Sequence, residues 1–395
     1  MKPGKIILTA IFPFLLLGCG SKTPSTDLIH FDVDVAVNNP MQLRMSDFIL
    51  DIEYVPLEIC KEGIIGRIGP VTPTKKYLVT QGFEQEIFVF TQAGKFVRQI
   101  GRFGQGPGEY SNMANHFTWD EKSKELVLFD QRNASLLFYT EDGQWIRTAK
   151  LPVRPEWIYF LSHNEYLGYV SSQIIDNDSI SPYFFFNEEG KTEYLKVPER
   201  VDYSRRVKAS FAPSIVNLKS GTYLKPALSD TIYELKDRRL IPFLAIDLGG
   251  NQVPVELFYD RMRFYRESKA YSFSGEISAC GDEYLILPVN IRNKWCEGIF
   301  EFANPNLSRI VKEEPDVDYG LVNDLDGGPA WSFYDNMING KYYTCNSAYD
   351  LMSDRDKGRF AKAEAKWPEK QKALLSMING LKEDDNPVVQ IMTHK

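Results

Sequence analysis

The sequence has little histidine and no closely spaced cysteine pair. Only four histidines occur in 395 residues, and the five cysteines form no C-x-x-C motif. Structural zinc sites use closely spaced Cys and His ligands, so these absences argue against such a site. The chain also lacks a G-x-S-x-G motif, which argues against the nucleophile of an α/β-hydrolase.

Long apolar runs are also missing after the first residues of the chain. No later segment approaches the roughly 18 apolar residues of a membrane-spanning helix. Basic residues are outnumbered, with 46 Lys and Arg against 53 Asp and Glu and a net charge of −7. An acidic surface argues against nucleic acid or an anionic membrane face as a partner.

The N-terminus has the pattern of a secretory signal. Lys2 and Lys5 precede the apolar run Ile6–Leu17, and Gly18 and Cys19 follow. A cysteine directly after a small residue resembles the lipobox of bacterial lipoproteins, in which that cysteine is lipidated. We therefore expect a signal peptide at 1–18, lipidation of Cys19, and a lipid-anchored tether and lead-in at 19–45. The alternative is cleavage elsewhere, which would leave a free protein.

One sequence module recurs along the chain. An apolar-aromatic run is followed by a polar turn and a second run, which is the pattern of a β-hairpin. The first four turns are spaced 49, 47 and 47 residues apart. A strand unit repeated every 40–50 residues is typical of β-propeller blades. The turns lie at Gly94, Gly143, Gly190, Asp237 and Asn304-Pro305.

The two ends of the chain are expected to complete the ring. Five modules are visible, and a sixth would combine residues 323–351 with the strand Ile49–Glu58. We therefore predict an all-β fold, a six-bladed β-propeller over residues 46–395, with five or seven blades as alternatives. A short helical insertion is expected at about 354–382, starting at a capping box at Ser353. Val388–Met392 is expected to rejoin the last sheet, the alternative being a helical tail.

Several segments together resemble one family. These are IGRFGQGPGEY (100–110), IIGRIG (64–69), NDLDGG (323–328) and DDNPV (384–388). They are similar to six-bladed β-propeller lipoproteins of the Bacteroidetes, which carry domains of unknown function and resemble NHL-repeat propellers. The resemblance implies a propeller anchored by lipid to the cell envelope, and it brings no catalytic residue. The absence of acidic residues directly after Cys19 favours the periplasm-facing side of the outer membrane.

Two motifs are candidate ligand sites. Arg102 and Glu109 flank the glycine-rich loop Gly101–Gly108, which reads either as a ligand loop or as a turn between blades. Asn323, Asp324 and Asp326 offer oxygen ligands at alternating positions, which would suit calcium. The alternative is an Asx-type turn that starts a strand.

Aromatic residues make up 13% of the chain, and most tryptophans are expected in the core between blades. One or two at loop ends would stack on sugar rings. Cys60, Cys280, Cys296 and Cys345 are either buried thiols or disulfide partners, Cys280 with Cys296 being the pair considered.

These features favour a monomeric, non-catalytic binding or scaffold protein for glycans, peptides or envelope proteins. The alternatives are a calcium-dependent hydrolase or lyase acting at the axis, and a sensor subunit of a transport or regulatory system. No catalytic or metal-ligating residue is assigned.

Overall fold

The computed structural model describes residues 28–59, 65, 69–82, 85–111, 113–171, 181–198, 202, 207, 211–312, 320–333, 337–360 and 365–395. The side chains of residues 113–116 are not described. The expected signal peptide, the lipidation site Cys19, the tether up to residue 27, and Cys60 lie outside the described residues. Predictions for those segments remain predictions.

The first described segment is a lead-in with short elements. Asp32 caps the first helix, accepting a hydrogen bond from the backbone N–H of Val35 at 2.9 Å. Residues expected only to lead into the propeller thus form two strands and two helices before the first long strand. In chain order they are β1 (Ile29–Asp32), α1 (Val33–Val37), β2 (Pro40–Met41), α2 (Met45–Phe48) and β3 (Ile49–Pro56).

Blades 1 to 3 are four-stranded antiparallel sheets in which sequence order equals spatial order. The strands of blade 1 are β4 (Val71–Pro73), β5 (Tyr77–Gln81), β6 (Ile87–Thr91) and β7 (Phe96–Ile100). Those of blade 2 are β8 (Met113–Asp120), β9 (Glu125–Asp130), β10 (Ser135–Thr140) and β11 (Trp145–Lys150). Those of blade 3 are β12 (Trp157–Ser162), β13 (Glu165–Tyr169), β14 (Tyr183–Phe186) and β15 (Thr192–Leu195).

Blades 4 and 5 are larger because the lead-in adds a strand to each. β1 pairs in parallel with β19, the last strand of blade 4, and β2 pairs in parallel with β24, the last strand of blade 5. The strands of blade 4 are β16 (Ser214–Leu218), β17 (Gly221–Lys225), β18 (Thr231–Lys236) and β19 (Arg239–Asp247). Those of blade 5 are β20 (Ser272–Ser274), β21 (Ser278–Cys280), β22 (Tyr284–Ile291), β23 (Lys294–Glu301) and β24 (Arg309–Val311).

A helical connection joins these two blades. It consists of a 3₁₀ turn at Val255–Tyr259, α3 (Arg261–Glu267) and a 3₁₀ turn at Ser268–Ala270. The Asp260 carboxylate caps α3 by accepting hydrogen bonds from two backbone N–H groups, those of Met262 and Arg263, at 3.1 Å each.

Blade 6 closes the ring with strands from both ends of the chain. Its order is β25 (Lys341–Asn346), β26 (Val388–His394) and β3, all antiparallel. Pro56 pairs with Val388 and Ile52 with Met392, which confirms the predicted closing strand and the strand predicted at the C-terminus. β3 thus covers the outer edge of β26, which would otherwise be open.

Two helices lie between β25 and β26. They are α4 (Ala348–Asp356) and α5 (Pro368–Asn379). The predicted capping box at Ser353 is wrong, because α4 begins six residues earlier, at the cap Ser347, whose Oγ accepts a hydrogen bond from Asp350 N at 3.0 Å. Pro368 starts α5, where its missing N–H costs no helical hydrogen bond.

Six sheets stand in a ring, so the fold is the predicted six-bladed β-propeller. The first strands of neighbouring blades contact one another, as β4 does with β8 and β8 with β12, and β25 of the last blade contacts β4 of the first. Apolar clusters fill the spaces between neighbouring sheets. Burial of both faces of each sheet is what stabilises the ring.

The tryptophans do not follow the expectation of a mainly core role. Trp331 is fully buried, but Trp145, Trp157 and Trp295 are 42%, 36% and 40% exposed. Cys280 and Cys296 form no disulfide with each other. Cys280 pairs with Tyr284 and Cys296 with Val289, five positions apart along β22.

Candidate functional site

The glycine-rich loop before β8 is held by the pair that was predicted to flank it. Arg102 Nε donates to Glu109 Oε1 at 2.6 Å, and the N–H of Gly106 donates to Glu109 Oε2 at 2.8 Å. The hydrogen bond from Gly106, followed by that from Arg102, lowers the pKa of Glu109. At Gly104 a Cβ would collide with the Glu109 carboxylate. Glu109 therefore organises the loop from inside, which favours the interpretation as a turn between blades.

Asp324 of the NDLDGG segment is bound to the lead-in and to the C-terminal insertion. Its Oδ1 accepts from the N–H of Ser46 at 3.0 Å, and its Oδ2 accepts from Ser46 Oγ at 2.6 Å. Lys366 Nζ lies 2.9 Å from Oδ2. Burial acts to raise the pKa of Asp324, but the hydrogen bonds from Ser46 and Lys366 have the larger effect. The pKa of Asp324 is therefore lowered.

Asp326 faces a different set of groups and is fully buried. Its Oδ1 accepts from Asn323 Nδ2 at 2.6 Å, from the N–H of Gly328 at 3.0 Å and from Tyr54 Oη at 3.2 Å. Burial dominates and raises the pKa of Asp326. Asn323 Oδ1 accepts from the N–H groups of Leu325 and Asp326 at 3.2 Å each, which is an Asx-type turn.

The oxygen atoms of Asp324 and Asp326 therefore do not share one cation position. Within the part of the chain that the structure describes, no group of three His, Cys, Asp or Glu side chains could hold a metal ion. Calcium and a metal-dependent reaction at the axis thus gain no specific support from the described side chains. Arg102 and Glu109 lie between blades 1 and 2, and Asn323 to Asp326 lie after blade 5, so the two predicted sites are separate.

A cavity of about 490 Å³ opens between blades 2 and 3. We call it the blade 2–3 groove. It is formed by the turn after β8 and the turn after β12, which meet from neighbouring sheets. Trp119 and Phe160 give it apolar walls, and Asp120, Ser162 and His163 give it polar groups. A concave site with apolar walls and a few convergent polar groups is the usual form of a ligand site.

A hydrogen bond between the two blades fixes the polar part of the blade 2–3 groove. His163 Nδ1 lies 2.5 Å from Asp120 Oδ2, and Asp120 Oδ1 accepts from the N–H of Lys122 at 2.9 Å. Burial acts to raise the pKa of Asp120, but these hydrogen bonds outweigh it and lower the pKa. Asp120 is therefore an anion at neutral pH that orients the imidazole of His163.

Arg147 stiffens the same interface further out. Its guanidinium donates to Glu125 Oε1 at 2.6 Å and to Glu188 Oε2 at 2.8 Å, which joins blade 2 to blade 3. It also lies 3.9 Å from the centre of the Phe138 ring. The hydrogen bond that Arg147 donates to Glu125 is the largest cause of a raised pKa of Arg147. A charge shared by two carboxylates and an aromatic face holds the two sheets in one arrangement.

Sequence reasoning missed Asp120 and His163 as site residues. They are 43 positions apart, and only the packing of blade 2 on blade 3 brings them together. The sequence signal that points to this groove is Trp119. It lies at the end of β8, and tryptophans at loop ends are expected to stack on sugar rings. Trp119 is partly buried against the core and lines the groove.

A second polar position lies between blades 4 and 5. Lys225 at the end of β17 is only 3% exposed. Burial lowers the pKa of Lys225 to about 8, against the opposing effect of Asp230 and Glu276. Burial also raises the pKa of Glu276, opposed by Lys225. These charges offset one another within the wall of the ring, and the simplest role for them is structural.

Comparison with known proteins identifies relatives of this fold. The model of one family, described as a domain of unknown function (DUF4934), matches residues 28–393. A solved protein of Bacteroides fragilis, described as exported, shares 15% identity at a TM-score of 0.65, covering 93% of this chain and 99% of that one. A search of the curated proteins gives no match.

Two further solved structures are similar at lower scores. A member of the DUF4221 family from Bacteroides vulgatus has a TM-score of 0.49 and 8% identity over 88% of this chain and 97% of its own. A streptogramin B lyase has a TM-score of 0.41 and 10% identity over 68% of this chain and 76% of its own. Likeness at these scores carries no argument about activity. Among the described helices, none has the length and apolar character needed to cross a membrane.

Proposed function

This chain belongs to the DUF4934 family, and we propose that it is a lipid-anchored propeller of the cell envelope that binds a glycan. Its ring provides a rigid frame, and the blade 2–3 groove provides the site. Binding without chemical conversion is the function that the groove supports best, because its polar groups are held by one another and can orient a ligand. The carrying observation is the wall formed by Trp119 and Phe160 beside Asp120 and His163.

The chemistry of this wall suits a sugar. Aromatic faces pack against the apolar C–H face of a pyranose ring, while the carboxylate and imidazole can bond its hydroxyl groups. Asp120 keeps an anionic oxygen at neutral pH, and the side chains of Glu121 and Lys122 add charged groups at the rim. The cavity volume of about 490 Å³ would accommodate a short oligosaccharide.

Calorimetric titration with a panel of neutral, acidic and amino-sugar oligosaccharides tests the glycan proposal. We expect micromolar to millimolar binding of at least one class. Trp119→Ala should weaken it at least tenfold, because the stacking surface is lost. Trp295→Ala is the matched control, since Trp295 is an exposed tryptophan on blade 5. Glu121→Gln, a milder change at the groove rim, should weaken binding by a smaller factor.

Two results would contradict this proposal. One is the absence of binding across the whole panel. The other is unchanged binding by both Trp119→Ala and Glu121→Gln in protein that unfolds like the parent. The second variant keeps the test valid if Trp119→Ala fails to fold, because Trp119 also packs against the core between blades 1 and 2.

The cellular location is proposed from the N-terminal sequence, and the similar Bacteroides fragilis protein, which is described as exported, supports it. Cys19 would carry the lipid, and the outer membrane would hold the protein on its periplasmic side. Labelling of growing cells with an alkyne fatty acid should mark the parent protein and not Cys19→Ala, which should leave the membrane fraction. Destruction of the protein by protease added to intact cells would contradict the periplasmic orientation.

A further inference from the structure

The outermost strands of the blades differ in whether they are covered. An outermost strand leaves a row of backbone N–H and C=O groups facing outward, which can pair with another strand. In blade 4 this edge is covered by β1, with Ile29 next to Leu244 and Asp32 next to Asp247. In blade 5 it is covered by β2, with Met41 next to Val311. Both additions are parallel, so this chain twice uses parallel strand addition at the outer edge of a blade.

Three of the remaining edges are short or obstructed. At β3 of blade 6, Lys370 Nζ donates to the carbonyl oxygen of Ile52 at 2.9 Å and so occupies an edge group. At β7 of blade 1, Arg98 donates to the carbonyl oxygen of Asp142, and Gly143 packs on Ile100. At β15 of blade 3, the strand has only four residues.

The edge of blade 2 is different. β11 has six residues, of which four are exposed and two partly exposed. Among the described strands none pairs with its outer side. Its first two residues are large and apolar, with Trp145 at 42% and Ile146 at 39% exposure. β11 is thus a long, open edge with an apolar start, which is the type of edge that natural proteins usually protect.

This edge is also held in place before any partner arrives. Trp145 Nε1 donates to Thr148 Oγ1 at 3.2 Å, and the indole packs against Gly108 of the glycine-rich loop. Arg147 is fixed by Glu125 and Glu188, as described above. An edge that is already ordered loses little conformational entropy when a strand is added, which favours binding.

We propose that β11 is a docking site for an extended peptide segment of another protein, which adds to blade 2 as a fifth strand parallel to β11, as β1 adds to β19. Backbone hydrogen bonds supply most of the affinity. The peptide carries apolar side chains near its N-terminal end, against Trp145 and Ile146. It carries an acidic side chain near its C-terminal end, where β11 presents Lys150 and has no acidic residue of its own.

This site is independent of the blade 2–3 groove. The groove is formed by the turns after β8 and β12, whereas β11 lies at the outer rim of blade 2. Failure of glycan binding would leave the β11 proposal intact, and the reverse also holds. The two sites would let one anchored ring hold a glycan and a protein partner together.

The test uses the full mature chain and a labelled ten-residue peptide of alternating valine and threonine with glutamate near its C-terminus. We expect binding by fluorescence anisotropy, with slower amide hydrogen exchange at Trp145–Lys150. Exchange in β19 should not change, because β1 already covers that edge. The sharpest probe is a pair of peptides N-methylated at alternate positions, either odd or even. In an added strand only every second amide points at the edge, so the peptide methylated at those positions should lose at least tenfold in affinity and the other should not.

Substitutions on the protein supply a second measurement. Ile146→Lys should weaken peptide binding several-fold, because it replaces an apolar contact by a charged side chain that must stay hydrated. Leu50→Lys is the matched control, because Leu50 is an exposed apolar residue, 61% exposed, on the outermost strand of blade 6.

Three outcomes would overturn the proposal. The first is no slowing of exchange at Trp145–Lys150 with the unmodified peptide at millimolar concentration. The second is equal affinity of the two methylated peptides, which would indicate apolar contact without strand pairing. The third is slowed exchange at these amides without peptide that increases with protein concentration, which would assign the edge to a second copy of this chain.

Discussion

Blades 4 to 6 and blades 1 to 3 are built from similar strands but differ in the origin of their outermost strands. Segments 29–56 run along the outside of the ring and add β1 to blade 4, β2 to blade 5 and β3 to blade 6. Among the described strands, those of blades 1 to 3 are all neighbours in sequence. The first half of the ring therefore depends on local hairpins, and the second half depends also on pairing of the N-terminal lead-in with strands far along the chain.

The lead-in separates a part of the ring that it stabilises from a part that can recognise a partner. The lead-in buries Phe31, Val33, Ala36 and Met45 against the second half of the ring. In blades 4 to 6 the lead-in strands cover the outer edges of β19, β24 and β26 and become short or obstructed edges themselves. On the other side of the ring, among the described strands, nothing covers the outer edge of β11.

Removal of the closing strand should have the largest effect. A chain starting at residue 57 lacks β1, β2 and β3, so blade 6 keeps only two described strands and exposes a long edge. We expect aggregation and loss of cooperative urea unfolding, measured by circular dichroism and sedimentation. A chain starting at residue 43 keeps β3 and should still unfold cooperatively, at a lower urea midpoint. Equal sharpness and midpoint for the chain starting at 57 and the parent would refute the role of β3.

Gly94→Ala should have the next largest effect on stability, because it disrupts the contact between blade 1 and the closing strand β3. Gly94 has φ of +78°, and a Cβ there would collide with the carbonyl oxygen of Pro56. Strain and collision together should cost about 2–4 kcal/mol of unfolding free energy. Gly250→Ala is the control, since its φ is +73° with nothing within 4 Å of the added Cβ. It should cost only about 1 kcal/mol. Equal costs would show that the contact with Pro56 is unimportant.

Asp324→Asn and Asp326→Asn lie in one turn but should affect the free energy of unfolding differently. The lowered pKa of Asp324 gives stability that is present above its unfolded pKa and is lost as pH falls through the folded pKa. The raised pKa of Asp326 does the reverse, since stability is present below the unfolded pKa and is lost as pH rises through the folded pKa. At pH 7, Asp324→Asn should therefore lose about 1–2 kcal/mol, and Asp326→Asn should be neutral or more stable.

Urea unfolding between pH 3 and pH 7 measures this pair. The stability of Asp324→Asn should vary less than that of the parent as pH falls below about 4, the ordinary pKa of Asp. The decline of the parent's stability above that pH should be reduced in Asp326→Asn. Losses of equal sign and size at pH 7 would show that the two carboxylates have the same role.

The smallest effect is expected at the open edge. Ile146→Ala on β11 should change the unfolding free energy by no more than about 0.5–1 kcal/mol, because the side chain is 39% exposed. Phe31→Ala on β1, which is 1% exposed, should cost about 3–5 kcal/mol. A large loss for Ile146→Ala would mean that the side chain stabilises the ring itself and is not available to a partner.

Much of the fold could be predicted because its signals are local. Gly94, Gly143 and Gly190 all have positive φ in their hairpin turns, as their place between two apolar runs indicates. The predicted strand Ile49–Glu58 is assigned to the closing blade because it has no blade of its own, and the structure forms it as β3 at Ile49–Pro56. By contrast, β1 and β2 are too short for a periodic pattern. The cap of α4 was misplaced because Ser-x-x-Asp occurs both at Ser347–Asp350 and at Ser353–Asp356.

The candidate site was much less predictable than the fold. Asp324 and Asp326 are two residues apart, yet their partners come from Ser46 and Lys366 in one case and from Tyr54 in the other. Nothing in the local sequence indicates that division. The pairing of Asp120 with His163 depends likewise on the distance between two blades. Side-chain chemistry that arises from packing between sheets has no signature within either strand.

The antiparallel pairing of β3 with β26 limits the order in which the blades can fold during synthesis on the ribosome. Ile52 of β3 is synthesised long before Met392 of β26, its neighbour in the sheet. β3 therefore stays without this partner strand until β26 has been made, while blades 1 to 3 can assemble as they appear. A carrier that shields β3, or export that delays folding until β26 has been made, would suit such an order of assembly.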